Sequence, residues 1–168
     1  MNYCPHCAAP IVWRLVAGRE RPACPRCGFI HYEDPKLVAV AVIPMDGKVV
    51  LGRRAINPGL GYWSFPAGYV NRGESVGDAM VREVQEETHL HVEVEQLLGL
   101  YSEADNPIVL AAYVAHAVGG TLAPGEEVSE VGLFELDALP ELAFANDHRI
   151  LGDWRTYERN ANGLRAAR

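Results

Sequence analysis

The chain has 168 residues, 49% of them apolar, a formal net charge of −7 and only two lysines. That length fits one domain, or one domain with a small appendage, and the apolar share is enough for a core. An acidic chain with no basic run is a poor candidate for gripping nucleic-acid backbone by charge alone, and no apolar run approaches the ~20 residues that cross a bilayer. The opening residues, MNYCPHC, lack the basic-then-apolar layout of a signal peptide, so the expectation is a cytoplasmic protein with no membrane partner.

Residues 1–33 are organised around Cys4-x2-Cys7 and Cys24-x2-Cys27, with sixteen residues between the pairs. Without a secretory leader, this is zinc-site spacing rather than a disulfide framework. Four thiolates complete a tetrahedral, structural Zn2+ set, which leaves His6, between two of them, as an exposed side chain. The halves echo each other, CPHCAAPI and CPRCGFIH. Gly28 follows the second pair, where a knuckle wants φ > 0; Ala8 stands at the same place in the first, which must turn differently or bear strain. Asp34-Pro35 marks a boundary between a zinc ribbon at 1–33 and a second domain at 34–168.

Beyond it, LVAVAVIP (37–44) reads as a buried strand, Asp46-Gly47 as a hairpin turn and Lys48–Gly52 as the partner strand. The Gly-, Pro- and Arg-rich stretch 53–62 reads as loop. Ser75 and Asp78 fit a capping box, which starts a helix over 76–88. Strands are expected at 92–100, 108–118 and 131–136, and a closing helix over 146–158, where Ile150, Leu151 and Trp154 recur at helical spacing. The tail from Asn160 is expected to fray. Strands with two inserted helices predict an α+β fold, a mixed sheet flanked by helices.

The 76–88 helix carries Glu83, Glu86 and Glu87. At roughly 100° per residue, Glu87 lies about 40° to one side of Glu83 and Glu86 about 60° to the other. Val76, Ala79, Met80 and Leu90 fall on the same side; Asp78, Gln85 and Thr88 fall opposite. A solvated face would put the acids opposite the apolar stripe. Here they interrupt it, so they are expected to face inward. Close, buried carboxylates must take up protons or bind cations, and an oxygen-only site suits Mg2+ or Mn2+. The competing reading is a buried salt-bridge network with Arg82 and Arg72.

Gly68, five residues, Glu74, seven residues, then Arg82-Glu83-Val84-Gln85-Glu86-Glu87 resembles the Nudix box. One position departs: His89 stands where the family has glycine at the helix's C-terminal turn. Histidine is one of the few other residues enriched at φ > 0, so a strain of order 1 kcal/mol is expected rather than loss of the site. The cysteine pairs, then His31-Tyr32-x-x-Pro35-Lys36, then the box, resemble Nudix hydrolases with an N-terminal zinc ribbon. The resemblance implies an α/β/α sandwich that hydrolyses a nucleoside diphosphate linked to another group, with Mg2+ or Mn2+. It implies Glu87, Glu83, Glu86 and the carbonyl of Ala67 as metal ligands. It also implies Arg82 as the residue that orients the glutamates and Glu74 as a brace for the loop. Glu127, in a Pro-Gly-Glu-Glu turn, matches the later-loop base of related enzymes; such a turn is otherwise a solvated one.

Arg53 and Arg54 are candidates for a phosphate contact, and Tyr62 for stacking on a base or flavin; Trp63 reads as core. The stretch YSEADNPIVLAAY lacks the Pro-, Trp- and Phe-rich signature of NADH pyrophosphatases, and Pro107 lies near the proline of ADP-ribose-type enzymes. The resemblance therefore leans to FAD or ADP-ribose, cleaved to AMP and a second phosphate ester, ahead of NADH or a dinucleoside polyphosphate. A different reading makes the domain a nucleotide sensor whose ribbon, with Arg14, Arg19, Arg21 and Arg26, binds nucleic acid or protein. A homodimer would be in keeping with the family.

Overall fold

The computed structural model describes residues 1–166, with side chains described to residue 160. The chain divides into two compact units, Met1–Pro35 and Lys36 onward.

In the first unit, β1 (Val12–Val16) pairs antiparallel with β2 (Arg19–Ala23). The cysteine knuckles flank this hairpin. Cys4 O accepts from Ala8 N at 2.9 Å and Cys24 O from Gly28 N at 3.1 Å. Gly28 takes φ 77° and Ala8 takes φ 57°. The first knuckle therefore makes the same turn as the second and carries the strain of a Cβ in the left-handed region. Of residues 1–35, only Cys4, Pro22, Ala23 and Cys24 are buried, so this unit has almost no apolar core.

The second unit is built on strict alternation. In β3 (Lys36–Val42), Val40 and Val42 face one way and Ala39 and Ala41 the other, as a pleated strand requires. β3 lies between β7 (Ala67–Tyr69, antiparallel) and β9 (Ile108–Gly120, parallel), and β8 (Leu90–Ser102) closes the edge beside β9. A second four-stranded sheet joins β10 (Val128–Phe134), β5 (Lys48–Arg54), β4 (Pro44–Met45) and β6 (Trp63–Ser64). Helix α1 (Val76–Thr88) covers the face with Ala39, Ala41, Ile43 and Val50. Helix α2 (Ala145–Ala166) packs Ile150, Leu151 and Trp154 on the other, against Val40, Val42, Leu51 and Phe65. This is an α+β sandwich with a mixed sheet.

The stretch 37–44 is not one strand of one hairpin. β3 belongs to the first sheet, and only Pro44–Met45 turn back on Lys48–Val49 in the second. Pro44 has no N–H to continue a ladder, and Ile43, fully buried, sits at the fork, its carbonyl accepting from Val50 N at 3.1 Å. The Asp46-Gly47 turn has φ 53° and 75°, the two positive values of a tight hairpin. Past the fork the sheets separate. Ser64 pairs with Gly52 in one and Ala67 with Val40 in the other, so Phe65-Pro66 bridges the gap between them. The closing helix continues through 160–166, where fraying was expected; residues 167–168 lie outside those described. Trp63 is half-buried on the α2 side, edge-on to Phe134 with ring centroids 4.7 Å apart.

Candidate active site

Helix α1 starts and stops where its sequence directs. Ser75 is the N-cap: its Oγ accepts from Asp78 N at 3.2 Å and donates to Asp78 Oδ2 at 2.6 Å. His89 ends the helix in the left-handed conformation, φ 57° and ψ 14°, with its N–H on Gln85 O at 3.0 Å. The buried residues are Ala79, Met80, Val84, Glu87 and Thr88. Thr88 thus does not lie on a solvated side; its hydroxyl donates to Val84 O at 2.6 Å. The buried arc is centred nearer Met80 and Val84 than the apolar stripe alone suggested. Glu87 therefore lies inside it, Glu83 at its margin and Glu86 on the rim, with side-chain exposures of 15% for Glu83 and 58% for Glu86.

Arg82 ties this edge together. Its Nε and Nη2 donate to the two oxygens of Glu74 at 2.8 and 3.0 Å, its Nη1 to Glu83 at 2.7 Å and Glu86 at 3.1 Å, and Nη2 also to Tyr69 O at 3.1 Å. Glu74 in turn accepts from Asn71 N at 3.0 Å. Arg82 and the Asn71 N–H hold the Glu74 carboxyl down at about 2. The salt-bridge network is present for Arg82 but, among the described residues, not for Arg72; its one guanidinium faces Glu74, Glu83 and Glu86 together and does not touch Glu87.

Among the described residues, the Glu87 carboxyl accepts one hydrogen bond, from Ala67 N to Oε2 at 3.0 Å. Burial raises its carboxyl to about 7 against that bond, and the charges of Glu83 and Glu127 add to the rise. Burial also pushes Glu83 up, opposed by Arg82 and assisted by Glu86 and Glu127. The Glu83 carboxylate lies directly over Gly68, in space a Cβ there would occupy, which explains why the box opens on glycine. All three acids line a cavity of about 830 Å3. Its acids are Glu83, Glu86, Glu87, Glu103, Glu126, Glu127 and Asp147, against Arg54 and Arg82, while Val38, Val40, Ile108 and Leu110 supply an apolar wall. Such a set of oxygen-only donors fits a hard divalent cation.

The residues singled out from sequence divide. Glu83, Glu86, Glu87, Arg82, Ala67, Glu127 and Arg54 line the cavity; Arg53 and Tyr62 do not. Neighbours on a strand point to opposite faces, so Arg53 turns away, to Glu130 Oε1 at 2.8 Å and Gly61 O at 2.9 Å. Tyr62 is 43% exposed in the loop beyond. The aromatic side chains that do line it are Phe65, Tyr69 and Phe144. Asp147, on α2, was not read from sequence. It is 4% exposed, and burial lifts its carboxyl to about 7 although it accepts from Phe144 N at 3.1 Å. Phe144 offers no capping side chain, so no capping box marks Asp147 in the sequence; its carboxylate reaching back to the Phe144 N–H shows only in the fold.

In the first unit, Sγ atoms of Cys4, Cys7, Cys24 and Cys27 lie within 4.8 Å of one another, with Cys4–Cys27 and Cys7–Cys24 both at 3.5 Å. A tetrahedral Zn2+ at ~2.3 Å from each sulfur needs edges of roughly 3.8 Å. Backbone N–H groups of His6 and Cys27 point at the sulfurs of Cys4 and Cys24. The backbone bond from Cys27 N draws the Cys24 thiol down to about 6, whereas its thiol neighbours and burial push Cys27 up to about 12. Four sulfurs this close fit a structural zinc.

The family model described as the NUDIX domain matches residues 35–154, and the zinc-ribbon model described as Nudix N-terminal matches residues 2–33. The chain belongs to the Nudix family. It is a Nudix hydrolase with an N-terminal zinc ribbon, acting on pyrophosphate bonds. An ADP-ribose pyrophosphatase of Methanocaldococcus jannaschii is 34% identical over 131 residues, 76% of this chain and 77% of that protein. A NAD-capped RNA hydrolase NudC of Chromobacterium violaceum is 32% identical over 84% of this chain, which spans about half (52%) of that relative's length. The crystal structure of a Nudix hydrolase from Nitrosomonas europaea superposes with a TM-score of 0.84 at 32% identity, covering 90% of this chain and 88% of that one.

The buried acids of the Nudix unit set a pH dependence. Glu87 and Asp147 have folded values near 7, above their ordinary values of 4.5 and 3.8. A carboxyl raised on folding contributes stability below its unfolded value and loses it as pH rises through the folded one. Without added divalent cation, the Tm of the zinc-loaded protein should therefore fall as pH goes from 5.5 to 8. A saturating divalent cation that binds the ionised form should flatten that fall. Thermal melts across this range test it; a Tm independent of pH without Mg2+ would contradict the burial of these acids.

Proposed function

We propose that the Nudix unit cleaves the pyrophosphate of a nucleoside diphosphate linked to another group, ADP-ribose or FAD, releasing AMP, with Mg2+ or Mn2+. The observation that carries this is Glu87, sealed from solvent yet opening on a large cavity that also gathers Glu83, Glu86 and Glu127. Glu83, Glu86, Glu87 and the Ala67 carbonyl would hold the divalent ion. Bound there, it would shield the diphosphate and acidify a water. Arg82 keeps Glu83 and Glu86 aimed, Glu127 accepts the proton of the attacking water, and Arg54, with no carboxylate hydrogen-bonded to it among the described residues, reaches a phosphate oxygen. The apolar wall and the exposed Tyr69 ring suit the base or the second half of a dinucleotide. We read residues 1–33 as a structural zinc ribbon that precedes, in sequence, a Nudix domain at 34–168.

Likeness to the M. jannaschii ADP-ribose pyrophosphatase, matched over most of its length, favours ADP-ribose. Likeness to NAD-capped RNA hydrolases supports a second reading, an NAD-type dinucleotide. A panel of ADP-ribose, FAD, NADH, diadenosine polyphosphate and a nucleoside triphosphate, each with Mg2+ or Mn2+, separates them. AMP should appear from ADP-ribose or FAD with the highest kcat/KM; preference for NADH would favour the second reading, and preference for the triphosphate would reject both.

A further inference from the structure

We propose that His89 is a positioning residue: its imidazole clamps the loop 122–127 onto the C-terminal end of α1 and so sets Glu127 beside the helix carboxylates. This rests on the reading of Glu127 as a group acting in the cavity. His89 is the one position where the chain departs from the Nudix box, and the structure gives that departure a purpose. Glycine would satisfy the left-handed backbone there at no cost; histidine accepts strain, and its side chain makes a contact glycine cannot. Nδ1 lies 3.0 Å from Ala123 O. A carbonyl only accepts, so Nδ1 must carry the hydrogen.

The clamp closes a set of bonds. Ala123 N donates to Thr88 O and Gly125 N to Glu87 O, both at 3.0 Å, so the loop caps two of the carbonyls that end a helix without partners. Gly125 packs so closely that a Cβ would fall on the Glu86 carbonyl. On its far side the loop is held by Ala55 N, which donates to Glu127 O at 2.9 Å. Glu127 is thus suspended between α1 and β5, and its charge is felt at both Glu83 and Glu87. Removing the imidazole frees one anchor of a segment that must place a carboxylate to within a fraction of an ångström.

The test compares His89→Gly with His89→Asn. Glycine restores the family residue and relieves the backbone, so folding is not at risk and Tm should hold or rise. Asparagine tolerates the same backbone, and its amide nitrogen stands as many bonds from Cα as Nδ1, so it can rebuild the donor. In His89→Gly, amide hydrogen exchange across residues 121–128 should quicken about tenfold, and kcat should fall about tenfold at unchanged KM. His89→Asn should recover most of both. Exchange as slow in His89→Gly as in the native protein overturns the clamp, as does an asparagine variant no better than glycine. Exchange needs no substrate, so it is read independently of the catalytic role: full turnover in Glu127→Gln would remove that role and leave the clamp to stand or fall on exchange alone.

Discussion

Glu87→Gln is expected to lower kcat by about 10³-fold, on the order of 4 kcal/mol of barrier, with the fold intact. Glutamine keeps the shape and can still accept from Ala67 N, the one hydrogen bond to this carboxyl among the described residues. What it loses is charge at the most buried of the three helix carboxylates, which is 8% exposed and pushed up to about 7 by burial. The same substitution removes a buried anion, so the metal-free variant should melt no lower than the native protein at pH 8, and above it if Glu87 is ionised there. The pairing of signs is the point: a merely structural glutamate would lose stability with activity. Mn2+ affinity, Tm and AMP release measured on one preparation decide it, and undiminished turnover would remove Glu87 from the metal site.

Cys24→Ser is expected to unfold residues 1–35 while leaving the Nudix core assembled. Within that unit the buried residues are Cys4, Pro22, Ala23 and Cys24, two of them ligands themselves. A segment below ~40 residues rarely folds without a staple, and structural zinc contributes on the order of 10–16 kcal/mol as folding energy. The Nudix unit has two apolar clusters of its own, built on β3, β5, α1 and α2. Limited proteolysis should nick the variant among residues 1–35 and spare the rest, and a Co2+-substituted sample should lose its thiolate absorption. A variant that keeps one zinc per chain and resists protease would show that the cysteines are not what holds the ribbon.

Much of this was legible because it is local. The capping box fixed the start of α1, the cysteine spacing drew the knuckles, and the conflict between three glutamates and an apolar stripe pointed to a site. What the sequence hid depends on non-local partners. The break at Ile43 is invisible in an uninterrupted apolar run, because which sheet a strand joins is decided by its neighbours. Arg53 and Arg54 look equivalent until the pleat sends one to Glu130 and the other to the cavity. Helical angle alone puts Thr88 opposite the stripe; its burial shows only in the fold, where its hydroxyl, bonded back to Val84 O, needs no water. The seat of Glu127 depends on Gly125 meeting a helix nearly forty residues earlier in the chain.

The fork at Ile43 divides labour between chemistry and selectivity. From that buried root, two blades spread: one ends in Arg54, the other carries Val38 and Val40, and Phe65-Pro66 is a rung nailed to both. Ala67 and Gly68 hang from this rung, with Glu87 bonded to the first and Glu83 seated over the second, so the joint is triangulated. The surfaces that would meet the rest of a substrate lie out along the blades, away from that joint.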